Sequence, residues 1–215
     1  MTSEPAAPVP GGRGQATKAR IVEAAVETLK REGYAGTSAR AIAATGGFNQ
    51  ALIFYHFGSV RDLLIAALDR TSDERMAAYR AAAAEAGDLV ELTGVAARIF
   101  REDLASGHVK VMVELIAGAS TDPELAPAIV ARVEPWIAFA REEATRIGAA
   151  SPLGSMAPPE DVAYAIVALF LGLEMLSHLE GDTARTERLF QLADGLATMI
   201  TTLGLVPPAT AGGAT

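Results

Sequence analysis

The side chains with the clearest chemistry in this sequence lie on a short predicted helix that follows a Gly-Gly turn. Its outward positions hold an amide pair at the start, Asn49 and Gln50, and two aromatic hydrogen-bonding groups near the end, Tyr55 and His56. An amide side chain both donates and accepts hydrogen bonds. A second short helix precedes the turn, and a supporting helix precedes both. This order is typical of a helix-turn-helix, whose second helix enters the major groove of DNA.

Three further helices are needed to hold this surface in place. Helical spacing and cap residues predict them at residues 18–32, 37–45 and 59–84, with Thr17 as the first cap and a Ser59–Asp62 capping box for the third. A small core is expected to fix the crossing angle, formed by Ile42, Ala43, Phe48 and Ile53. Gly47 can take the left-handed conformation that the turn requires.

The rest of the chain keeps helical spacing and contains no alternating run that predicts a strand. The fold class is therefore predicted to be all-α. The later helices are expected at residues 89–105, 108–119, 123–147, 159–179 and 184–203, with Asp122 capping the third of these and Pro127 and Pro135 kinking or splitting it.

The last two predicted helices indicate a homodimer. The helix at 159–179 is apolar nearly all round between residues 162 and 173, and the final helix carries a continuous apolar stripe. One face of each can pack on its own subunit, and a second subunit most simply covers the other. The uncharged stretch of 12 residues is shorter than the roughly 20 that a membrane span needs.

Composition and charge exclude several classes of protein. There is no cysteine, so there is no disulfide, thiol nucleophile or cysteine-based metal site. The start of the chain does not have the pattern of a signal peptide, and a cytoplasmic protein is expected. Residues 1–58 carry six basic and four acidic groups, whereas the remainder carries 12 and 22. This division permits a DNA-binding head on an acidic body.

At this point the sequence resembles the TetR family of one-component transcriptional regulators. The resemblance runs from Thr17 to about Leu64. Its most specific part is the run Gly-Phe-Asn-Gln-Ala-Leu-Ile-Phe-Tyr-His-Phe-Gly-Ser at residues 47–59, followed by Asp-Leu-Leu at 62–64. The resemblance implies a dimeric repressor that leaves a palindromic operator when a small effector binds.

The resemblance also implies roles for individual residues of the head. Asn49 and Gln50 would read base edges, as amides can do with adenine, although Asn49 could instead cap its helix. Ala51 and Leu52 would contact a thymine methyl group. The side chains expected to contact phosphate are Thr37, Ser38, Tyr55 and His56, and Arg40 would reach either a base or a phosphate.

The head departs from the usual family pattern in two places. Val60 stands where a lysine usually helps to hold a phosphate, so one positioning contact is absent. Phe48 stands where a smaller valine is usual, and Gly46 where alanine is common. These two substitutions are expected to shift the recognition helix slightly.

An effector pocket is implied for the body, lined by apolar side chains with few polar groups. The candidates are His108, Met112, Glu114, Trp136, Phe139, Glu174, Met175 and His178. Glu174 and His178 lie four residues apart and could equally form an internal ion pair. Core packing is the alternative for Trp136 and Phe139. A largely apolar effector is expected, with Glu174 or Glu114 receiving any donor or cation that it carries.

Other functional classes find less support in the sequence. No Glu-x-x-His, Gly-x-Ser-x-Gly, phosphate loop or dinucleotide fingerprint occurs, so no enzyme activity, metal or cofactor is expected. A helical scaffold protein and an activator of the same fold remain alternatives. The expected organisation is a disordered arm at 1–14, a DNA-binding domain at 15–60, an effector-binding and dimerisation domain at 61–204, and a disordered tail at 205–215.

Overall fold

The computed structural model describes residues 12–148 and 157–206, and every regular element within these two segments is a helix. The all-α prediction is therefore confirmed. In chain order the helices are α1 (Gly12–Gly36), α2 (Ala39–Gly46), α3 (Ala51–Phe57), α4 (Val60–Glu85), α5 (Leu89–Ser106), α6 (His108–Gly118), α7 (Leu125–Gly148), α8 (Pro159–Glu180) and α9 (Ala184–Thr202).

Local caps fix the ends of the head helices. The Ser59–Asp62 box is the predicted one, whereas Thr17, the predicted first cap, lies inside α1 because that helix begins at Gly12. The Ser38 hydroxyl accepts a hydrogen bond from the Ala41 N–H at 3.2 Å and caps α2, which ends at Gly47 with φ at 64°. The Ser59 hydroxyl accepts from the Asp62 N–H at 3.0 Å and starts α4. These local bonds set where each helix begins, and thereby the angles between them.

The core of the head is continuous with part of the body. Ile42 and Ile53 are fully buried, Ala43 is nearly so, and Phe48 packs on them from a half-buried position. The same apolar cluster takes in residues of α6 and α7: Val111, Met112, Leu115, Leu125 and Ile129. The head is thus packed directly on the body and is not linked to it by α4 alone.

Two predicted boundaries of the chain segments differ from the structure. The first helix begins at Gly12 and not at residue 18, because apolar spacing marks where a helix is buried and not where its exposed first turns begin. The last three residues of the predicted arm are therefore helical. Val206, in the predicted tail, is buried in the body. The remainder of both segments, 1–11 and 207–215, lies outside the described residues.

The prolines of α7 do not split it, although a split was one of the two predicted outcomes. Pro127 lies in the first turn, where its missing N–H has no partner within the helix. Pro135 lies inside the helix and costs one hydrogen bond there, but α7 packs between α4 and α8 and stays continuous. The helix begins at Leu125 and not at 123, since the Asp122 carbonyl accepts the Leu125 N–H in a preceding turn.

The close packing of the turn between α2 and α3 explains why Gly46 and Phe48 both differ from the residues that are usual in the family. A Cβ atom added at Gly46 would overlap the Phe48 ring and would lie 2.9 Å from Ala24 Cβ. The phenylalanine ring thus occupies the space that an alanine methyl group at position 46 would take. The two substitutions compensate each other.

We expect Gly46→Ala to lower the free energy of unfolding by about 1–3 kcal/mol, the usual cost of overpacking. In a Phe48→Val background the same change is expected to cost less, because the overlap with the ring is gone and only the 2.9 Å approach to Ala24 Cβ remains, against which the helix preference of alanine over glycine contributes about 1 kcal/mol. Urea denaturation of the four proteins of this double-mutant cycle measures the coupling. An equal cost of Gly46→Ala in both backgrounds would contradict the steric explanation.

Candidate DNA-binding surface and effector cavity

The face of α3 expected to read DNA is open to solvent. Gln50 and Ala51 are exposed, and the Tyr55 ring is 81% exposed with the His56 ring edge-on to it at 4.9 Å between centroids. Arg40 is exposed on the neighbouring α2. These side chains therefore project from one end of the head, and the surface is free to approach a duplex.

Three of the predicted polar groups also stabilise the helix ends. Asn49 Oδ1 accepts from the Ala51 N–H at 2.8 Å, so the capping alternative describes this side chain correctly. The Ser38 hydroxyl accepts a bond in its cap, which leaves its own hydrogen available for a phosphate oxygen. The Thr37 hydroxyl donates to the Gly33 carbonyl at 2.6 Å and has no hydrogen left to donate to a phosphate in this arrangement.

The apolar residues of α3 that face solvent are not all those that were predicted. Leu52 is half-buried and packs against the core of the head, whereas Phe54 is 50% exposed. Phe54 is thus an exposed neighbour of Tyr55 that the sequence analysis missed.

Neither Val60 nor its neighbour Arg61 supplies the charge of the missing lysine. Val60 is half-buried and packs on the core, and the adjacent Arg61 is held by the loop before α7. Its Nε donates to Asp122 Oδ2 at 2.6 Å, and its Nη1 bonds Glu124. Arg61 therefore ties the start of α4 to the body and is not free to hold a phosphate.

The body contains a cavity of about 510 Å³, enclosed mainly by α4, α5, α7 and α8. Four of the eight predicted effector residues line it: Met112, Trp136, Phe139 and Glu174. Most other lining side chains are apolar, so the cavity matches the expected chemistry of a small-molecule pocket.

The other four predicted residues do not line the cavity. Glu114 instead accepts the Tyr34 N–H at 2.8 Å through Oε2, at the junction between α6 and the head. His108 is half-buried, and its Nδ1 has no hydrogen-bond partner among the described residues. Burial and the nearby Arg75 lower its pKa. Met175 and His178 lie on α8 beside and beyond Glu174, outside the cavity wall.

Among the described residues that line the cavity, the one guanidinium belongs to Arg75 of α4, and two carboxylates hold it. Its Nε and Nη2 donate to Asp103 Oδ2 on α5 at 2.9 and 2.6 Å. The same Nη2 donates to Glu174 Oε1 on α8 at 2.7 Å. All three side chains are buried. The predicted Glu174–His178 ion pair is not formed, because Arg75 takes the carboxylate.

Aromatic rings form one side of the cavity around Tyr79. Its ring stands edge-on to Trp136, Phe139 and Phe170, with centroids 5.2, 6.4 and 5.9 Å away. The Arg75 guanidinium lies 5.2 Å over the Trp136 ring. Neither Arg75 nor Tyr79 was a candidate from the sequence, since both lie in a polar stretch of α4 that reads as solvent-exposed. Burial raises the pKa of the Tyr79 hydroxyl, and the Asp103 carboxylate adds to the effect.

The outer faces of α8 and α9 expose large apolar side chains. On α8, Leu169, Leu176 and Leu179 are 62%, 56% and 70% exposed. On α9 the exposed positions follow heptad spacing: Leu189, Leu192, Leu196, Met199 and Leu203. By length and composition α8 could also cross a membrane. Its inner face, however, carries the buried Glu174 that is paired with α4.

The described residues contain no group of three or more His, Asp or Glu side chains arranged to hold a metal ion.

Comparison with known proteins supports the family resemblance seen in the sequence. Residues 21–67 match the family model for bacterial regulatory proteins of the tetR family. Over 113 residues the chain is 27% identical to an uncharacterized HTH-type transcriptional regulator of Mycobacterium tuberculosis, and to one of Mycobacterium bovis. The match spans 53% of this chain and 58% of each of these relatives.

Solved structures cover most of the chain. A TetR-family member from Streptomyces coelicolor is 26% identical, with a TM-score of 0.61 over 88% of this chain and 98% of its own. The fatty acid degradation regulator FadR from Bacillus halodurans is 19% identical, with a TM-score of 0.68 over 87% and 96%. The multidrug binding protein EbrR, solved with proflavin, is 24% identical, with a TM-score of 0.54 over 86% and 99%.

The fold and the exposed α3 define a helix-turn-helix head on an all-helical body. The head matches the tetR family model over residues 21–67, and the chain as a whole shares the fold of a solved TetR-family structure.

The buried Glu174 should make stability depend on pH. Burial raises its pKa from 4.5 to about 7, against the lowering effect of Arg75. An acid whose pKa is higher in the folded state stabilises that state at pH values below its pKa in the unfolded chain. This stabilisation is lost as pH rises to about 7. At about 1.4 kcal/mol per pKa unit, the shift corresponds to about 3 kcal/mol.

We expect the free energy of unfolding of Glu174→Gln, relative to the parent protein, to rise by up to about 3 kcal/mol between pH 4.5 and 8. Glutamine keeps a hydrogen bond to Arg75 but cannot ionise. Urea denaturation at fixed protein concentration measures the two profiles. Parallel profiles would show that Glu174 ionises as easily in the folded chain as in the unfolded one.

Proposed function

We propose that the protein is a homodimeric, non-enzymatic repressor, acting in the cytoplasm, that a small and largely apolar effector releases from a palindromic DNA operator. One observation carries the proposal: α4 belongs to both halves of the molecule. Leu63 and Leu64 at its start are buried in the core of the head, and Arg75 and Tyr79 further along line the cavity. We assign residues 15–60 to DNA binding, and 61–204 to effector binding and dimerisation.

In the proposed complex α3 lies in the major groove. Gln50 bonds a base edge, and Tyr55 and His56 contact phosphate oxygens, which fix the register without reading sequence. Ser38 and Arg40 contact the backbone beside them. Two such heads related by a two-fold axis require a near-palindrome with half-sites about 34–36 Å apart, or somewhat more if the heads are splayed.

Gln50→Ala is expected to cost about 1–3 kcal/mol of operator binding and to relax preference at one base position in each half-site. Tyr55→Phe, which removes only a hydroxyl from an 81% exposed ring, should weaken binding to all sequences about equally. Fluorescence anisotropy against a set of operator variants, at one salt concentration, separates the two effects. Unchanged sequence preference in Gln50→Ala would remove its assigned role in base readout.

We propose that the exposed apolar faces of α8 and α9 pair with the same faces of a second copy as a four-helix bundle. The spacing of the α9 side chains is that of a packed helical seam. Gly172 and Gly195 have open space where a Cβ would lie, so neighbouring helices can approach closely there. A stable interface of this kind should bury more than about 1,000 Å².

Leu192 and Val130 allow a matched test of this interface, because each is 58% exposed but they lie on different faces. Leu192→Asp should convert the protein to a monomer at micromolar concentration, since it places a charge in the apolar seam. Val130→Asp on α7 should leave a dimer. Analytical ultracentrifugation distinguishes the 22.3 kDa chain from its dimer. If Val130→Asp, and not Leu192→Asp, dissociates the dimer, the interface lies elsewhere.

The proposed switch uses two helices that connect the cavity to the head. Besides α4, α6 contributes Met112 to the cavity and Glu114 to the junction with the head, where it accepts the Tyr34 N–H. An effector that favours a different position of these helices changes the spacing of the two heads. By reciprocity it must bind the DNA-free protein more tightly than the operator complex, by the same factor.

The apolar walls of the cavity support an apolar effector. Among the structural neighbours, one is a fatty acid degradation regulator and another a multidrug binding protein solved with proflavin. These two neighbours differ in function, so the effector of this chain has to be inferred from its own cavity.

A further inference from the structure

The charges around Arg75 on the cavity wall do not balance. Arg75 carries one positive charge, and two buried carboxylates, Asp103 and Glu174, share its donors. Glu174 is 2% exposed and lines the cavity directly, whereas Asp103 lies behind Arg75. With all three groups ionised the corner has a net charge of −1 in an apolar surrounding, where an uncompensated charge is costly.

The described part of the cavity wall holds one further carboxylate, and a separate partner balances its charge. Glu143 accepts two hydrogen bonds from Arg146, at 2.8 and 2.6 Å, near the surface. The uncompensated negative charge therefore belongs to the Arg75 corner. The pKa of Glu174, raised by burial to about 7, has the same physical origin: one guanidinium shared with Asp103 does not fully offset the burial of a second carboxylate.

The aromatic rings around this corner provide a second, independent feature. Tyr79, Trp136, Phe139 and Phe170 line the same cavity as Glu174, and the Trp136 ring already holds one cation, the Arg75 guanidinium, at 5.2 Å. The faces of aromatic rings attract cations, and a ring of such faces is the usual means of holding a quaternary ammonium group. An apolar cavity with aromatic walls and one excess buried carboxylate matches a molecule with an apolar body and a positively charged head.

The same corner disfavours a carboxylate ligand. The Nε and Nη2 donors of Arg75 are already engaged by Asp103 and Glu174. A third carboxylate at this guanidinium would leave two buried negative charges without compensation, a much larger penalty.

We infer that the cavity selects an amphipathic cation over an anionic lipid of equal length. The charged head of the cation lies against Glu174 and the aromatic rings. This inference rests on the proposed effector role of the cavity.

Three probes with the same decyl chain test this inference: decyltrimethylammonium, decan-1-ol and decanoate, each below its aggregation concentration. Trp136 is the only tryptophan of the chain and lies on the cavity wall, so its fluorescence reports occupancy directly. We expect the cation to bind at least tenfold more tightly than decanoate, with decanol between them. Equal or tighter binding of decanoate, or no fluorescence change with any probe, would overturn the inference.

Two variants locate the selectivity. Glu174→Gln should weaken binding of the cation at least tenfold and should change the affinity for decanol by no more than about twofold. Glu143→Gln, the matched control on the same wall, should leave the affinity for both probes unchanged. Loss of cation affinity in Glu143→Gln alone would overturn the assignment to Glu174. If Glu174→Gln fails to fold, the ratio between probes in the parent protein still decides the inference.

Operator release separates this inference from the proposed function. The same probes are added to the complex of the protein with its operator, followed by anisotropy. Selective binding of the cation without release would support the cavity chemistry and contradict the effector-controlled repressor. Release by decanoate as readily as by the cation would contradict the charge selectivity and support the repressor.

Discussion

The buried guanidinium of Arg75 is the interaction on which the arrangement of the body depends. It joins α4 to Asp103 on α5 and to Glu174 on α8, and these helices form three of the cavity walls. A buried ion pair contributes little net stability, but removing one partner leaves an uncompensated charge and is strongly destabilising. The network therefore fixes the relative positions of the helices. It also keeps a polar, charged group at the surface of an otherwise apolar cavity.

The same network explains the unusual composition of α8. Between residues 165 and 177 this helix has two polar side chains, both buried on its inner face: Glu174 is held by Arg75, and Ser177 bonds Thr186 at 2.8 Å. Its outer face exposes leucines such as Leu169 and Leu176. A helix held from the inside by hydrogen bonds can present a rigid apolar surface outward. Such a surface is suited to pairing with a second copy of itself.

The head is bound to the body through several contacts besides α4. Gly33 breaks α1 with φ at 71°, which turns Tyr34 toward α6. There its N–H bonds Glu114, and its ring fills the space above Gly118, where a Cβ would lie 2.7 Å from the ring. Arg61 adds ion pairs to the loop before α7. With a common apolar core as well, a displacement of α6 or α4 at the cavity is carried to the head through packed contacts.

The sequence by itself determined the class of fold, the helix-turn-helix and most helix boundaries. These depend on interactions between residues close in the chain: the Ser38 and Ser59 caps, the left-handed Gly47 and the period of the apolar residues. It also gave four of the cavity residues, since Met112, Trp136, Phe139 and Glu174 are polar, aromatic or flexible side chains in apolar helices. Only the tertiary structure decided which charges are buried. Arg75 lies 28 residues from Asp103 and 99 from Glu174. A charged residue in a polar stretch of helix is predicted to be exposed. Here the packing of other helices buries it, so its role depends on contacts that local sequence does not encode.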